Sequence, residues 1–296
     1  MPLPKVFDMA AAGVCDCHVH IVGPTARFSQ IPSRTYTAGP AELPSLRALA
    51  EPLGVRRYVV VQPSFYGTNN ACLLEALETL GGRGRGVIAA DPGRITATEL
   101  EWYASRGACG VRINLYSKSS AEEAGPLGEI LARWEDKLPP AGWHIEVIAP
   151  LTVLVSGAAA MAGSPVPIVI DHYGLPGDAE PDTREGRRLL ELLTLPQVWV
   201  KLSAPYRTLK DPLATKPPAE WLRALLRVAP DRCVWGSDWP HTPAQEDHRR
   251  GKTMVPYREL SYQRVLEDFL EALPEEAAAG KILRDNPQRL YGFSAE

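Results

Sequence analysis

His18 and His20, in the run Val14-Cys15-Asp16-Cys17-His18-Val19-His20-Ile21-Val22-Gly23, are two imidazoles separated by one residue. Side chains alternate faces along an extended strand, so this spacing turns both rings to one side. Far downstream, Trp235-Gly236-Ser237-Asp238-Trp239-Pro240-His241 sets a carboxylate just past another apolar run. The structural alternative for Asp238 is a helix N-cap or half of a loop ion pair. Paired with an early His-x-His, it reads as a general base in an enzyme site.

Of the six histidines, His18, His20, His144, His172 and His241 fall at or just past apolar runs, and His248 lies in a loop. Any one could be a hydrogen-bonded structural residue. Several imidazoles desolvated together without a shared purpose would be costly. Arg112 and Asn114, in Gly110-Val111-Arg112-Ile113-Asn114, share one face of a strand. An arginine there needs an anion, either a ligand carboxylate or a structural partner such as Glu146. Lys118, Arg207 and Lys210 lie on loops of the same expected rim; each alone reads as a solvated charge, and together with Arg112 they suggest an acidic ligand.

These residues need elements to position them. Eight apolar runs read as strands: Val14–Val22, Arg57–Gln62, Gly86–Ala90, Gly110–Leu115, Trp143–Ala149, Pro167–Asp171, Val198–Leu202 and Arg232–Gly236. Helical patterns separate them at Ala41–Glu51, Asn70–Leu80, Thr98–Arg106, Pro126–Lys137, Arg184–Leu193 and Ala219–Val228. Glu259–Leu273 follows the eighth strand, and Glu275–Leu290 reads as one extra C-terminal helix. Continuous apolar strands between amphipathic helices predict a parallel sheet covered on both faces. Eight such units predict a single-domain α/β chain, a (β/α)8 TIM-like barrel over residues 1–296. The rival open sheet usually carries a glycine-rich phosphate loop after its first strand, and here that strand ends in the histidines. The long irregular stretches Gly23–Pro40, Ala204–Pro218 and Pro240–Pro256 all follow strands, which places them on the C-terminal rim where barrels build sites.

The net charge of −3 gives no reason to expect nucleic acid or an anionic membrane as partner. No apolar run reaches membrane-span length, and no leader pattern opens the chain, so a cytoplasmic location is expected. Oligomeric state is not legible. Five cysteines argue against a disulfide framework. Cys15 and Cys17 are expected on the face opposite His18, as packing residues. There is no Gly-x-Ser-x-Gly elbow, P-loop or dinucleotide fingerprint in a fitting context.

His18-x-His20, His172 in Val169-Ile170-Asp171-His172-Tyr173-Gly174, and Asp238 in its Trp-Gly-Ser-Asp-Trp-Pro-His motif together resemble the amidohydrolase superfamily, and within it the lactonase branch. Ser64-Phe65-Tyr66-Gly67-Thr68-Asn69-Asn70, Trp143-His144 and Asn286-Pro287-Gln288-Arg289-Leu290-Tyr291 extend the likeness nearly end to end. The resemblance implies a distorted barrel that opens a lactone ring with Asp238 as base. His18, His20 and His172 would polarise the carbonyl. It implies Tyr36, Ser64, Tyr66, Arg112, Asn114, Lys118, His144, Arg207 and His241 as substrate-binding positions. Most amidohydrolases use divalent metal, and His18, His20, His172 and Asp238 could hold one zinc or manganese ion. The binuclear type needs a bridging lysine on strand four, where this chain has Arg112 and Asn114, so a metal-free mechanism is the expectation. Tyr66 and Lys118 depart from the branch's histidine and arginine, which leaves the substrate open between 2-pyrone-4,6-dicarboxylate-like and muconolactone-like or sulfomuconolactone-like rings. The expected function is therefore hydrolysis of a small acidic lactone in aromatic-compound catabolism. A sugar-acid lactonase or lactone isomerase, a metal-dependent decarboxylase, and a barrel that only binds an acidic metabolite are the alternatives.

Overall fold

The computed structural model describes residues 13–116, 126–139, 141–243 and 253–294. Eight parallel strands follow one another around a ring in chain order. They are β1 (Val14–Val19), β2 (Val55–Val61), β3 (Gly84–Ile88), β4 (Ala108–Asn114), β5 (His144–Ile148), β6 (Ile168–Ile170), β7 (Val198–Ser203) and β8 (Cys233–Gly236). The predicted (β/α)8 barrel is what forms.

β8 meets β1 not through a regular ladder but through a short seam. The Asp238 N–H donates to His18 O (2.9 Å) and the His20 N–H to Trp239 O (2.8 Å). Asp16 reinforces it, its Oδ1 accepting from Ser237 N–H at 2.9 Å and its Oδ2 from Tyr262 Oη at 2.8 Å. Gly236 is required there, because a Cβ on it would lie 2.6 Å from His18 Cβ.

Helices α1 (Leu43–Ala50), α2 (Ala71–Leu80), α3 (Ala97–Ala104) and α4 (Leu127–Glu135) bury apolar stripes against the outside of the barrel. A capping box between Thr96 and Glu99 starts α3. Two short helices, α5 (Leu151–Ser156) and α6 (Ala158–Gly163), fill the interval after the fifth strand, where the sequence reading names no helical pattern. Gly157 separates them, and a side chain there would strike Leu127 on α4. Helices α7 (Arg184–Leu192), α8 (Ala219–Val228) and α9 (Tyr262–Ala272) complete the layer. The expected single C-terminal helix is instead α10 (Glu276–Gly280), a π-turn over Lys281–Asp285, and α11 (Asn286–Tyr291). Pro287 has no N–H for the Leu283 carbonyl and its ring crowds that turn, which accounts for the wider register. The chain end then packs Tyr291 and Phe293 against Cys15, Cys17, Cys109 and Val169 from inside the barrel, closing its floor. Arg57 and Arg85, near the starts of β2 and β3, hold that tail by its carbonyls.

The expected alternation along β1 is broken. Its register against β2 shifts between Asp16 and Val19. Cys17 and His18 therefore both turn inward, Cys17 into the floor cluster and His18 toward β7. All five cysteines are buried and unbridged. No helix among the described residues is long and apolar enough to cross a membrane.

Candidate active site

Strand ends deliver the polar side chains to the C-terminal mouth. His20 from β1, Ser64 after β2, Arg112 and Asn114 from β4, His172 after β6, Arg207 after β7 and Asp238 after β8 line one narrow cleft of about 50 Å³, with Tyr36, Tyr116 and Thr242 on its walls. That is room for one or two waters. Larger depressions of about 830 and 1150 Å³ lie elsewhere, one beside α1 and α2 and one at the barrel floor.

Asp238 is fully buried and divided in its bonding. Oδ2 accepts from Tyr206 Oη (2.6 Å) and Arg207 Nε (3.2 Å). Oδ1 has no hydrogen-bond partner among the described residues and lies 3.5 Å from both His18 Nε2 and His20 Nε2. Burial alone would raise the carboxyl's pKa; the Arg207 guanidinium on Oδ2 leads the groups that outweigh it and hold it well below the ordinary value. It is therefore an ionised carboxylate in a buried site. Its backbone (φ +60°), like that of His172 (+53°), Ala204 (+50°) and His241 (+64°), occupies the left-handed region, a concentration of strain expected where a site is held preorganised.

The imidazoles are fixed from behind. His20 Nδ1 bonds Val61 O at 2.8 Å, and because a carbonyl only accepts, Nδ1 carries the proton. His172 Nδ1 pairs with Ser203 Oγ at 2.8 Å. Burial depresses His18 well below its usual pKa, helped by Lys201, and lowers His172 to about 4, so both are neutral at pH 7. The two strand-one rings meet edge to face, centroids 5.0 Å apart.

Beneath the cleft lies a buried set of charges that the sequence reading did not assemble. Lys201 on β7 pairs with Glu146 Oε2 and lies 3.1 Å from His18 Nδ1 and 3.7 Å from Asp171 Oδ1. Arg112 Nη2 approaches Asp171 Oδ2 at 3.8 Å, and its Nη1 donates to Gln62 O at 2.7 Å. Two cations thus face two carboxylates, which makes their burial tolerable. The sequence reading offered Glu146 as partner for Arg112; Glu146 goes to Lys201, and Asp171 takes Arg112. A lysine inside the apolar Val198–Leu202 run was the missed signal, of the same kind as Arg112.

Several expected binding residues sit elsewhere. His144 is at the start of β5, near the barrel floor, its ring over Gly110, where a Cβ would come within 2.4 Å of it, and 5.3 Å from Tyr291. Tyr66 is buried below the Ser64 turn against Phe65. His241 is buried behind Asp238, near Tyr206. Lys210 is exposed and pairs with Asp178. Lys118 and His248 lie outside the described residues. Arg207, expected to hold substrate, has its Nε on Asp238 and its Nη2 on Thr242.

The unsatisfied atoms converge as a metal site would. His18, His20 and Asp238 offer ligand atoms within 4.8 Å of one another, as do His18, Asp171 and His172. Two imidazole nitrogens and one carboxylate oxygen, with His20 braced by a carbonyl, suit a single zinc or manganese ion in type and spacing.

This barrel, with His-x-His closing strand one and Asp238 following strand eight, defines the chain: it belongs to the amidohydrolase family, whose model matches residues 15–293. Among similar proteins is 4-sulfomuconolactone hydrolase of Rhizobium radiobacter, 32% identical over 283 residues, covering 95% of this chain and 90% of that one. The 2-pyrone-4,6-dicarboxylate hydrolase of Comamonas testosteroni is 31% identical over 291 residues, with coverages of 95% and 90%. A solved structure of a candidate 2-pyrone-4,6-dicarboxylic acid hydrolase from Pseudomonas putida superposes with a TM-score of 0.78 at 27% identity, covering 96% of this chain and 99% of that one.

Proposed function

We propose that the chain hydrolyses a small lactone bearing acidic groups, of the 2-pyrone-4,6-dicarboxylate or sulfomuconolactone type, with Asp238 as general base. The observation that carries this reading is an ionised, fully buried carboxylate, its Oδ1 without a hydrogen-bond partner among the described residues, on a residue that lines a cleft with room for water. Asp238 Oδ1 takes a proton as water attacks the lactone carbonyl carbon. The carbonyl electrons move onto oxygen, where His172, which lines the cleft, and His18, buried beside Asp238, offer neutral imidazoles to the developing charge. Collapse breaks the acyl–oxygen ring bond, and the proton on Asp238 passes to the departing ring oxygen. Tyr206 and Arg207 hold Oδ2, so the base meets the water with one chosen oxygen. Arg112, with a buried Nε free of hydrogen bonds among the described residues, is the cation placed to meet an acidic substituent, beside Asn114, Ser64 and Tyr36. A divalent ion held by His18, His20 and Asp238 would, when bound, supply Lewis-acid polarisation. The preferred mechanism runs on the side chains alone.

The test is hydrolysis of a panel of acidic and neutral lactones by the wild-type protein and Asp238→Asn. Turnover of acidic members, lowered roughly 10²–10⁴-fold in the variant, is expected. Full activity in Asp238→Asn, or turnover of neutral rings only, overturns the proposal.

A further inference from the structure

Lys201 has no part in the chemistry above, yet its ammonium touches one of the reacting imidazoles. It is fully buried, ion-paired with Glu146, and 3.1 Å from His18 Nδ1. An ammonium has donors and no acceptor, so the proton in that contact belongs to Lys201 and His18 Nδ1 is a bare lone pair. Asp171 Oδ1, the competing acceptor, stands farther from the same nitrogen, at 3.4 Å against 3.1 Å for Lys201. A neutral ring with a bare Nδ1 carries its proton on Nε2. That Nε2 points at Asp238 Oδ1, 3.5 Å away. His20 is the reverse: its proton is on Nδ1, bonded to Val61 O, which leaves Nε2 bare.

We infer that Lys201 is a positioning residue that splits the His-x-His pair into one N–H donor, His18, and one lone pair, His20, and thereby weakens the site for a divalent ion. Ligation needs a bare nitrogen on both rings. To join an ion, His18 must move its proton to Nδ1, which requires Lys201 to let go and Asp171 to accept. With Lys201 in place, His18 instead offers an N–H to a developing oxyanion. The inference is read from zinc affinity and imidazole protonation, so it stands or falls separately from the lactone assignment.

Removing Lys201 alone would also strip a positive charge from the site, so the test keeps charge constant. Lys201→Met/Glu146→Gln deletes the donor, whereas Lys201→Arg keeps both the charge and N–H donors long enough to reach Nδ1. Zinc affinity is measured on the apo proteins by competition with a chromophoric chelator. The methionine pair is expected to bind zinc at least about tenfold tighter than both wild type and Lys201→Arg, the size of effect usual for groups behind a ligand. A methionine pair that binds zinc no tighter than wild type overturns the inference. Nitrogen-15 spectra of histidine-labelled wild-type protein, with His18 assigned by loss of its signals in His18→Asn, give a readout needing no Lys201 variant. A protonated Nε2 and bare Nδ1 on His18 are expected, and the opposite tautomer refutes the inference.

Discussion

Gly236→Ala tests whether the β1–β8 seam sets both the stability of the ring and the geometry of the site. A Cβ at Gly236 would lie 2.6 Å from His18 Cβ, 2.8 Å from His18 N and 3.2 Å from His18 Cα. Ordinary carbon contacts need about 3.5–4.0 Å, so the strands must separate by about 1 Å. The obstruction includes backbone, which cannot rotate aside. Two hydrogen bonds within the next two residues, Ser237 N–H to Asp16 and Asp238 N–H to His18 O, each span 2.9 Å and would stretch out of range. Crowding of roughly 1–3 kcal/mol, with about 1 kcal/mol for each bond, brings the loss to roughly 3–5 kcal/mol. That is a large part of the 5–15 kcal/mol typical of a folded domain. The same shift moves His18 against Asp238 and should lower kcat on an acidic lactone about 100-fold. Urea unfolding followed by tryptophan fluorescence measures the first effect and steady-state kinetics the second. Gly163→Ala, where a methyl meets nothing within 4 Å, is the control. An unfolding free energy for Gly236→Ala within about 0.5 kcal/mol of wild type would refute the reasoning.

Other substitutions separate substrate contacts from structural ones. Arg112→Met removes the cation facing the cleft and should raise KM for an acidic lactone roughly 10–100-fold, the value of one charge-assisted hydrogen bond; an unchanged KM removes Arg112 from substrate binding. His144→Ala, acting at the barrel floor, should lower stability by on the order of 2 kcal/mol while KM stays put, and a KM change would return His144 to the site. Burial raises Asp16 to about 6 despite the donors around its carboxylate, so its ionisation is harder in the folded chain than in the unfolded one. Its stability contribution is fully present below the unfolded value near 3.8 and is lost as pH rises to about 6, a swing of at most roughly 3 kcal/mol. The unfolding free energy of wild type minus that of Asp16→Asn should therefore fall between pH 4 and 6, and a flat difference contradicts the account.

The barrel was legible because its strands are short β-branched runs and its helices carry clear apolar stripes. α5 and α6 were not, since each is a turn or two long, rich in small apolar residues and divided by Gly157. His20, His172, Arg207 and Asp238 were found because they follow strand ends, where polar residues are conspicuous, and Arg112 because its charge interrupts an apolar strand. The buried charges behind them were harder. Asp171, Glu146 and Lys201 meet only inside the barrel, delivered by three successive strands far apart in sequence, so no local pattern joins them. The register shift after Asp16 reverses the parity on which the Cys17 and His18 faces were assigned, and such a shift leaves no mark in the residue order. His144 shared the strand context of the other histidines but stands at the opening of β5 instead of its end. A one-strand difference in polarity of placement moved it to the far side of the molecule.

The seam between β1 and β8 also orders events in time. His18 and Asp238 stand near opposite ends of the chain, and their alignment depends on bonds that exist only when the last strand reaches the first. Closing so long a loop is entropically late, and contacts of such sequence separation slow folding. A nascent or partly folded chain can lay down β2 to β7 and still hold no complete base–imidazole pair. Competence at this site therefore appears together with ring closure, and the appearance of activity during refolding would serve as a clock for the final strand.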